Sequence, residues 1–290
     1  MTLLTKLNLI LLVLFVTGGL IISQGIRSFL IGNARREVLQ QAELMMASAK
    51  SVRDYTSSDV GPLLEQNPQH QKRFLAETVP AFGAISTFNK LRQTYPAYTY
   101  REATLNPTNP EDRATDWESD IILYLRNHPG QKQVTGERET PMGPSMYLAT
   151  PIAADPPCLQ CHSNPAAAPP VMIATYGSNN GFGWEPGAIV AAQIVSVPMS
   201  FALQRASQAF NLLLIYLIAT LIASIVILDA AVYLIVIRPL KRVAEAADRA
   251  SKGESNPAPL PVKGQDEIAT VTASFNRMQL SLAKAFKMLG

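Results

Sequence analysis

Cysteine is almost missing from this 290-residue chain: there are two, against 21 prolines and 16 glycines. A disulfide-stapled scaffold is therefore excluded. Charge is scarce as well, 16% of residues where about 25% is usual. Hydrophobic residues make up 48%, so the deficit argues against a plain soluble enzyme and for apolar segments buried in lipid. A net charge of +3 and a pI near 8.8 are too mild to imply nucleic acid, and no such partner is expected. Histidine is limited to three residues, and none follows His162.

What is present begins with two long apolar runs. Leu7 to Ile26 carries no charge over about twenty residues, enough at ~1.5 Å per residue to cross a ~30 Å hydrocarbon core. A cleaved signal peptide is the rival reading. No small-x-small cleavage pattern follows the run, so an uncleaved anchor is expected. The second run, Asn211 to Ile237, contains one acid, Asp229. An intramembrane carboxylate points to function by default. Two helical turns from the end of the run, Asp229 is read here as facing water or a helix partner.

Basic residues set the expected orientation. Residues 238–290 hold nine Lys/Arg and five Asp/Glu, whereas residues 27–209 hold fifteen and sixteen. Positive-inside then puts the tail in the cytoplasm. The expected layout is a cytoplasmic N-terminus (1–6), spans at 7–26 and 210–237, an exported region (27–209) on the periplasmic or lumenal side, and a cytoplasmic segment (238–290). Arg27, Arg35 and Arg36 oppose this weakly.

The two cysteines lie together as Cys158-Leu159-Gln160-Cys161-His162, the C-x-x-C-H pattern of c-type haem attachment. The spacing suits the chemistry: two thiols add to two porphyrin vinyl groups, and the adjacent imidazole binds the iron as proximal ligand. Three rivals are weaker. A thioredoxin-like pair wants a helix N-terminus to stabilise a thiolate, and prolines at 156, 157, 165, 169 and 170 argue for an extended, rigid loop. A structural zinc site normally takes four ligands, and His70 and His128 do not form a pair by spacing. A disulfide across so short a loop is strained. One covalent haem c on Cys158, Cys161 and His162 is expected.

The sixth iron position stays open. His70 and His128 lie in polar, turn-like contexts and read as surface residues. Met45 and Met46 sit on a helix, and Met142 and Met146 flank a strand; Met45, Met46 and Met146 are kept as distal-ligand candidates beside a five-coordinate iron.

Val38, Ala42, Met45, Ala49, Val52 and Thr56 recur at spacings of four and three, which predicts a helix over 33–58. A second helix is predicted over 68–92, broken near Pro80. Tyr98 to Leu105 reads as a strand, Asn106-Pro107-Thr108-Asn109-Pro110 as a tight loop, and Asp116-Trp117-Glu118 as the start of a helix stopped by His128-Pro129-Gly130. Strand-like runs follow at 131–139, 145–153, 171–177 and 188–197. Helices followed by mostly antiparallel strands give an α+β fold, with the haem loop between two strands. Phe182 and Trp184 in Gly181-Phe182-Gly183-Trp184 either wall the haem or cap the core. Tyr95, Tyr98, Tyr100, Tyr147, Arg101 and Arg138 are either propionate partners or ordinary surface pairs.

Taken together, Asn106-Pro107-Thr108-Asn109-Pro110, Trp117-Glu118, Cys158–His162, Tyr176-Gly177 and Gly181-Phe182-Gly183-Trp184 closely resemble the cyanobacterial-type c-haem sensor domain, once filed as a domain of unknown function. The resemblance covers roughly residues 35–200. It implies a PAS-like antiparallel sheet with a long N-terminal helix, and a haem held by Cys158 and Cys161 with His162 on the iron. A relative's second cysteine ligand cannot be carried over, because both cysteines are consumed.

The tail carries two apolar stripes: Leu240, Val243, Ala247 and Ala250, then Ile268, Val271, Phe275, Met278, Leu282, Ala285 and Leu289 at 3-4 spacing. Pro239, Gly253, Leu260, Val262 and Asp266-Glu267-Ile268 make it resemble a HAMP relay, which implies a parallel four-helix bundle in a homodimer. A plain coiled-coil dimeriser is the alternative. With no phospho-acceptor histidine and no room for an ATP-binding domain, the chain is not read as a histidine kinase. It stops at Gly290, where an output module would be expected to start.

The expectation is a membrane-bound haem receptor, not an enzyme, that signals to a separate cytoplasmic partner. The alternative is a membrane-anchored c-type cytochrome that only carries electrons, against which the relay counts. A haem peroxidase ranks last, since no distal acid–base residue is identifiable.

Overall fold

The computed structural model describes residues 2–252 and 258–289, and these divide into two compact units. One comprises Ile26–Phe210; the other joins Met1–Gly25 to Asn211–Gly290. Helices α1 (Leu3–Tyr55) and α7 (Ser200–Val232) contribute residues to both.

The first unit is α+β. After α1 come a short α2 (Gly61–Glu65), α3 (Pro80–Thr94), strand β1 (Thr99–Thr104) and α4 (Asp116–Asn127). The hairpin β2 (Val134–Thr140) and β3 (Gly143–Ala153) follows, then α5 (Pro156–His162), α6 (Pro170–Tyr176) and β4 (Ile189–Pro198). The four strands form one sheet in the order β1-β4-β3-β2, antiparallel throughout. Central β4 is buried along most of its length because both sheet faces are covered. On one face Val38, Ala42, Met46 and Ala49 of α1, with Ala84 and Phe88 of α3, pack on Tyr100, Met146, Leu148, Val195 and Val197. On the other face Ile121, Ile122 and Leu125 of α4 pack on Ala103, Ala149, Ala192 and Ile194.

Local chemistry explains most boundaries. Helix α4 opens on a capping box: the Thr115 N–H donates to Glu118 Oε2 at 2.8 Å, and Arg101 Nε pairs with Glu118 Oε1 at 3.0 Å. Pro62 cannot supply an N–H inside the helix that continues α1, and the backbone widens into a π-helical turn, Thr56–Val60, just before it. Pro239 has the same effect on the turn Tyr233–Ile237.

Three expectations need correction. The helix predicted over 68–92 is turns and a 3-10 segment up to Pro80, with the helix proper beginning there. Residues 171–176 lie in helix α6, not a strand, because Pro169-Pro170 initiates a helix and Gly177, at φ +80°, stops it. The α1 seam buries Met46 where Met45 was expected; Met45 is partly exposed at the seam's edge.

The second unit holds two apolar stretches long enough to cross a membrane, within Leu4–Glu65 and Ser200–Ser251, at mean hydropathies of 2.3 and 2.6 over their most apolar windows. In it the Asn8 Nδ2–H donates to Asp229 Oδ2 at 2.9 Å, so Asp229 faces a helix partner. Helices α8 (Arg238–Ser251) and α9 (Glu267–Leu289) follow. Asp266 Oδ1 accepts from Ala269 N–H at 2.8 Å and caps α9. Asn276 brackets the connector, donating to Leu260 O at 2.8 Å and accepting from Leu260 N–H at 3.0 Å. Ala246, Ala269, Thr272 and Phe275 are buried, whereas Val271, Met278 and Leu282 of the α9 stripe are exposed in the single chain. Gly253 of the connector lies outside the described residues.

Candidate functional site

The motif residues sit on α5, between β3 and β4. An extended loop was expected here, and the structure corrects this. Pro156 and Pro157 occupy the first two helical positions, where their missing N–H groups would have had no intrahelical acceptor. Asp155 precedes them as N-cap, and its carbonyl accepts from Cys158 N–H at 2.9 Å. Leu159, between the cysteines, packs against the cluster of Ala154, Val190 and Ala191 at one end of the sheet.

The far end of α5 is completed by the Gly181–Trp184 segment. Its Gly183 and Trp184 N–H groups donate to Ser163 O at 3.1 Å and His162 O at 3.2 Å, satisfying carbonyls the helix leaves open. Gly181 O lies 2.7 Å from His162 Nδ1, and Thr108 Oγ1 lies 3.4 Å from the same nitrogen. Gly181 adopts φ +83°, and a Cβ there would collide with the Thr108 side chain and backbone, so only glycine permits this approach. The indole of Trp184 stacks on the imidazole with centroids 4.0 Å apart. Trp184 therefore both holds His162 and joins the small core under α5.

A carbonyl at 2.7 Å can be satisfied only by an N–H, so Nδ1 carries the proton and Nε2 keeps its lone pair. Burial lowers the His162 pKa, with the Gly181 carbonyl pulling the other way, which keeps the ring neutral near pH 7. Both cysteines are half-buried free thiols. Burial pushes the Cys161 thiol up, and Glu65 and Cys158 add to the rise. The helix that a thioredoxin-like reading wanted is present, but Cys161 shifts away from thiolate. Among the described residues no cluster of three or more His, Cys, Asp or Glu side chains is arranged to hold a metal ion. Two thiols and a neutral imidazole with Nε2 available fit a c-type haem.

Most other residues singled out in the sequence have partners in the cores and on the surface of the domain. Met46 is buried, its sulfur accepting from Thr150 Oγ1 at 3.6 Å. Met146 lies in the main core with Met45 at its edge. His128 ends α4, with Nδ1 2.8 Å from Tyr124 O and its ring stacked on Tyr124. His70 lies 5.9 Å from the Phe74 ring, which meets Tyr176 of α6. Arg101 is engaged by Glu118, Arg138 stacks over Trp117, and Tyr147 meets Trp117. Tyr95 and Tyr98 pack edge to face. The Tyr100 hydroxyl donates to Glu102 Oε1 at 2.6 Å, and Glu102 is ion-paired with Arg53. Arg53, Glu102, Gln193 and Thr150 escaped the sequence reading; only alternation in β1 placed Glu102 on a covered face, and nothing marked it as paired.

An α+β sheet domain with a histidine clamped at the end of a C-x-x-C-H helix, followed by an apolar helix and a helical pair, defines the class. The Tll0287-like family model matches residues 32–198, and the HAMP domain model matches residues 232–284. The first match takes in more than half of the chain, and the chain belongs to the Tll0287-like family, with a HAMP domain after it. Among solved structures it is similar to the one described as the crystal structure of the cyanobacterial heme-protein Tll0287. The TM-score is 0.44 at 13% identity, over 56% of this chain and 95% of that one. No curated protein matches significantly.

Proposed function

We propose that the protein is a membrane-bound signal receptor carrying one covalent haem c, attached through Cys158 and Cys161 with His162 as proximal ligand. The observation that carries this reading is the His162 clamp: a C-x-x-C-H imidazole fixed through Nδ1 and stacked on Trp184, within a Tll0287-like domain joined to HAMP. When bound, the haem supplies an iron whose redox state or small-molecule ligand is the stimulus. The protein's part would be to fix the imidazole, hold the porphyrin through Cys158 and Cys161, and pass the change to the second span. Met45, Met46 and Met146 are the distal-ligand candidates, beside a five-coordinate iron.

In this reading both spans cross the bilayer, the haem domain lies on the periplasmic or lumenal side and both termini are cytoplasmic. A homodimer covers the exposed Val271, Met278 and Leu282 with the partner's helices, forming the bistable HAMP bundle. The bundle acts on a separate signalling partner, and the chain itself is a receptor and not an enzyme.

A full-length chain and one ending at residue 237 separate this from an electron carrier. Removing 238–290 should abolish the haem-dependent physiological response while leaving the iron's redox cycling intact. A response that survives the deletion contradicts the receptor reading.

A further inference from the structure

One row of the sheet face under α1 is polar throughout. Glu102 of β1 pairs in register with Gln193 of β4, and Gln193 with Thr150 of β3. Two residues along, the row Tyr100, Val195, Leu148 belongs to the main core. In the other direction the row Thr104, Ala191, Ile152 meets the motif helix, since Leu159 and Ile152 both pack against the cluster of Ala154, Val190 and Ala191. The polar row thus lies between the core and the C-x-x-C-H helix.

Its members are joined. Tyr100 Oη donates to Glu102 Oε1 at 2.6 Å, Gln193 Nε2 to Tyr100 Oη at 3.1 Å, and Thr150 Oγ1 lies 3.2 Å from Gln193 Oε1. Arg53, descending from α1, closes the row through its ion pair with Glu102, whose side chain is only 5% exposed. Burial opposes charge on Arg53, but Glu102 more than offsets it and the guanidinium's pKa is raised; Tyr100 and the Cys158 thiol add to the rise. Glu102 in turn acts on a further carboxyl, Asp112, on the turn after β1.

Stability alone gives a poor reason for such a pair. Burying two charges costs most of what their attraction returns, and apolar replacements of equal volume are often as stable. A fixed charge in a poorly screened interior does, however, act on any other charge nearby, and hydrogen bonding, burial and net charge are the levers that set haem potentials.

Resting on the haem reading above, we propose that Arg53 and Glu102 are positioning residues that set the midpoint potential of the haem. As an intact pair they present almost no net charge to the iron. Split, each half biases it in the opposite sense: a lone Arg53 cation favours the ferrous state, a lone Glu102 carboxylate the ferric.

The test is a redox titration of the full-length, haem-loaded protein at fixed pH, followed by absorption, for wild type, E102Q, R53M and the double variant. E102Q should raise the midpoint and R53M lower it, each by about tenfold in the reduced-to-oxidised ratio at fixed ambient potential, equivalent to about 59 mV for one electron. The double variant should return towards wild type, and R53K should stay near it. A purely structural role predicts shifts of one sign, or none, without cancellation; either result overturns the proposal. If R53M does not load haem, the near-isosteric E102Q decides alone: a raised midpoint supports the proposal and an unmoved or lowered one overturns it. A wild-type protein without covalent haem defeats the haem reading itself, whereas a haem-loaded wild type with unmoved variants defeats only this inference.

Discussion

The imidazole of His162 lies flat against the indole of Trp184, with ring centroids 4.0 Å apart and planes 13° from parallel. Stacked rings contribute about 0.5–1.5 kcal/mol beyond the area they bury, and here they also fix a ring whose Nδ1 is already committed to Gly181. Trp184→Ala should lower stability by on the order of 2 kcal/mol and broaden or shift the haem absorption bands. Trp184→Phe should retain most of both. Thermal unfolding and spectra of the haem-loaded variants measure this, and an unchanged alanine variant would count against the clamp.

Gly181 makes the clamp possible. An alanine there meets both a left-handed backbone and the Thr108 side chain. Gly181→Ala should therefore cost at least ~1–3 kcal/mol and weaken the hold on His162. Gly187, also at positive φ but with open space around it, is the control: its alanine variant should lose less stability in the same unfolding experiment.

Asp112 gives the domain a pH dependence of definite sign. Burial and then the Glu102 carboxylate push its carboxyl up to about 6 from an ordinary 3.8, with Arg101 pulling down and Glu111 adding to the rise. A carboxyl whose pKa is raised in the folded state contributes stability that is complete below the unfolded value, near 4, and is lost as pH rises through about 6. Asp112→Asn removes this loss. The variant should gain on the order of 1 kcal/mol relative to wild type between pH 5 and pH 8, after allowance for partial exposure. Unfolding at both pH values tests it, and a constant difference would refute the assignment.

Glu118 is 2% exposed and serves two partners at once, the cap of α4 and Arg101. Glu118→Ala leaves the Thr115 N–H and Arg101 without their acceptor and should cost about 3 kcal/mol. Glu118→Gln keeps an acceptor and should cost about half as much. Equal losses in the two variants would mean that the charge alone matters.

In the second unit, the Asn8–Asp229 hydrogen bond should hold the two apolar helices in one register, at about 0.6 kcal/mol and at most about 1.7 kcal/mol. Cysteines at 8 and 229 in the full-length chain should couple through a short bifunctional reagent, and cysteines at 12 and 229 should not. The reverse pattern would contradict the pairing.

Much of this was legible in the sequence because the signals are local. The start of α4 at Asp116-Trp117-Glu118, the Pro129-Gly130 stop, the strand-like runs of β3 and β4 and the stripes of α8 and α9 follow from short-range signals. The motif carried Cys158, Cys161 and His162 by spacing alone. Errors came where two local rules compete. Prolines at 156–157 and 169–170 read as helix breakers but occupy first-turn positions, and Val171–Tyr176 has strand composition inside helix punctuation. The Glu102–Gln193–Thr150 row and the Gly181–His162 contact are non-local; strand register and chain crossing create them, and no window of sequence contains both partners.

Covalent haem is the claim on which the rest depends. The most direct measurement is the absorption spectrum of the full-length protein, matured with a c-haem assembly system and then denatured and extracted with acidified solvent. The account predicts that haem stays with the polypeptide in wild type and is lost when Cys158 and Cys161 are both changed to serine. A wild-type chain that releases its haem, or never acquires any, would contradict it.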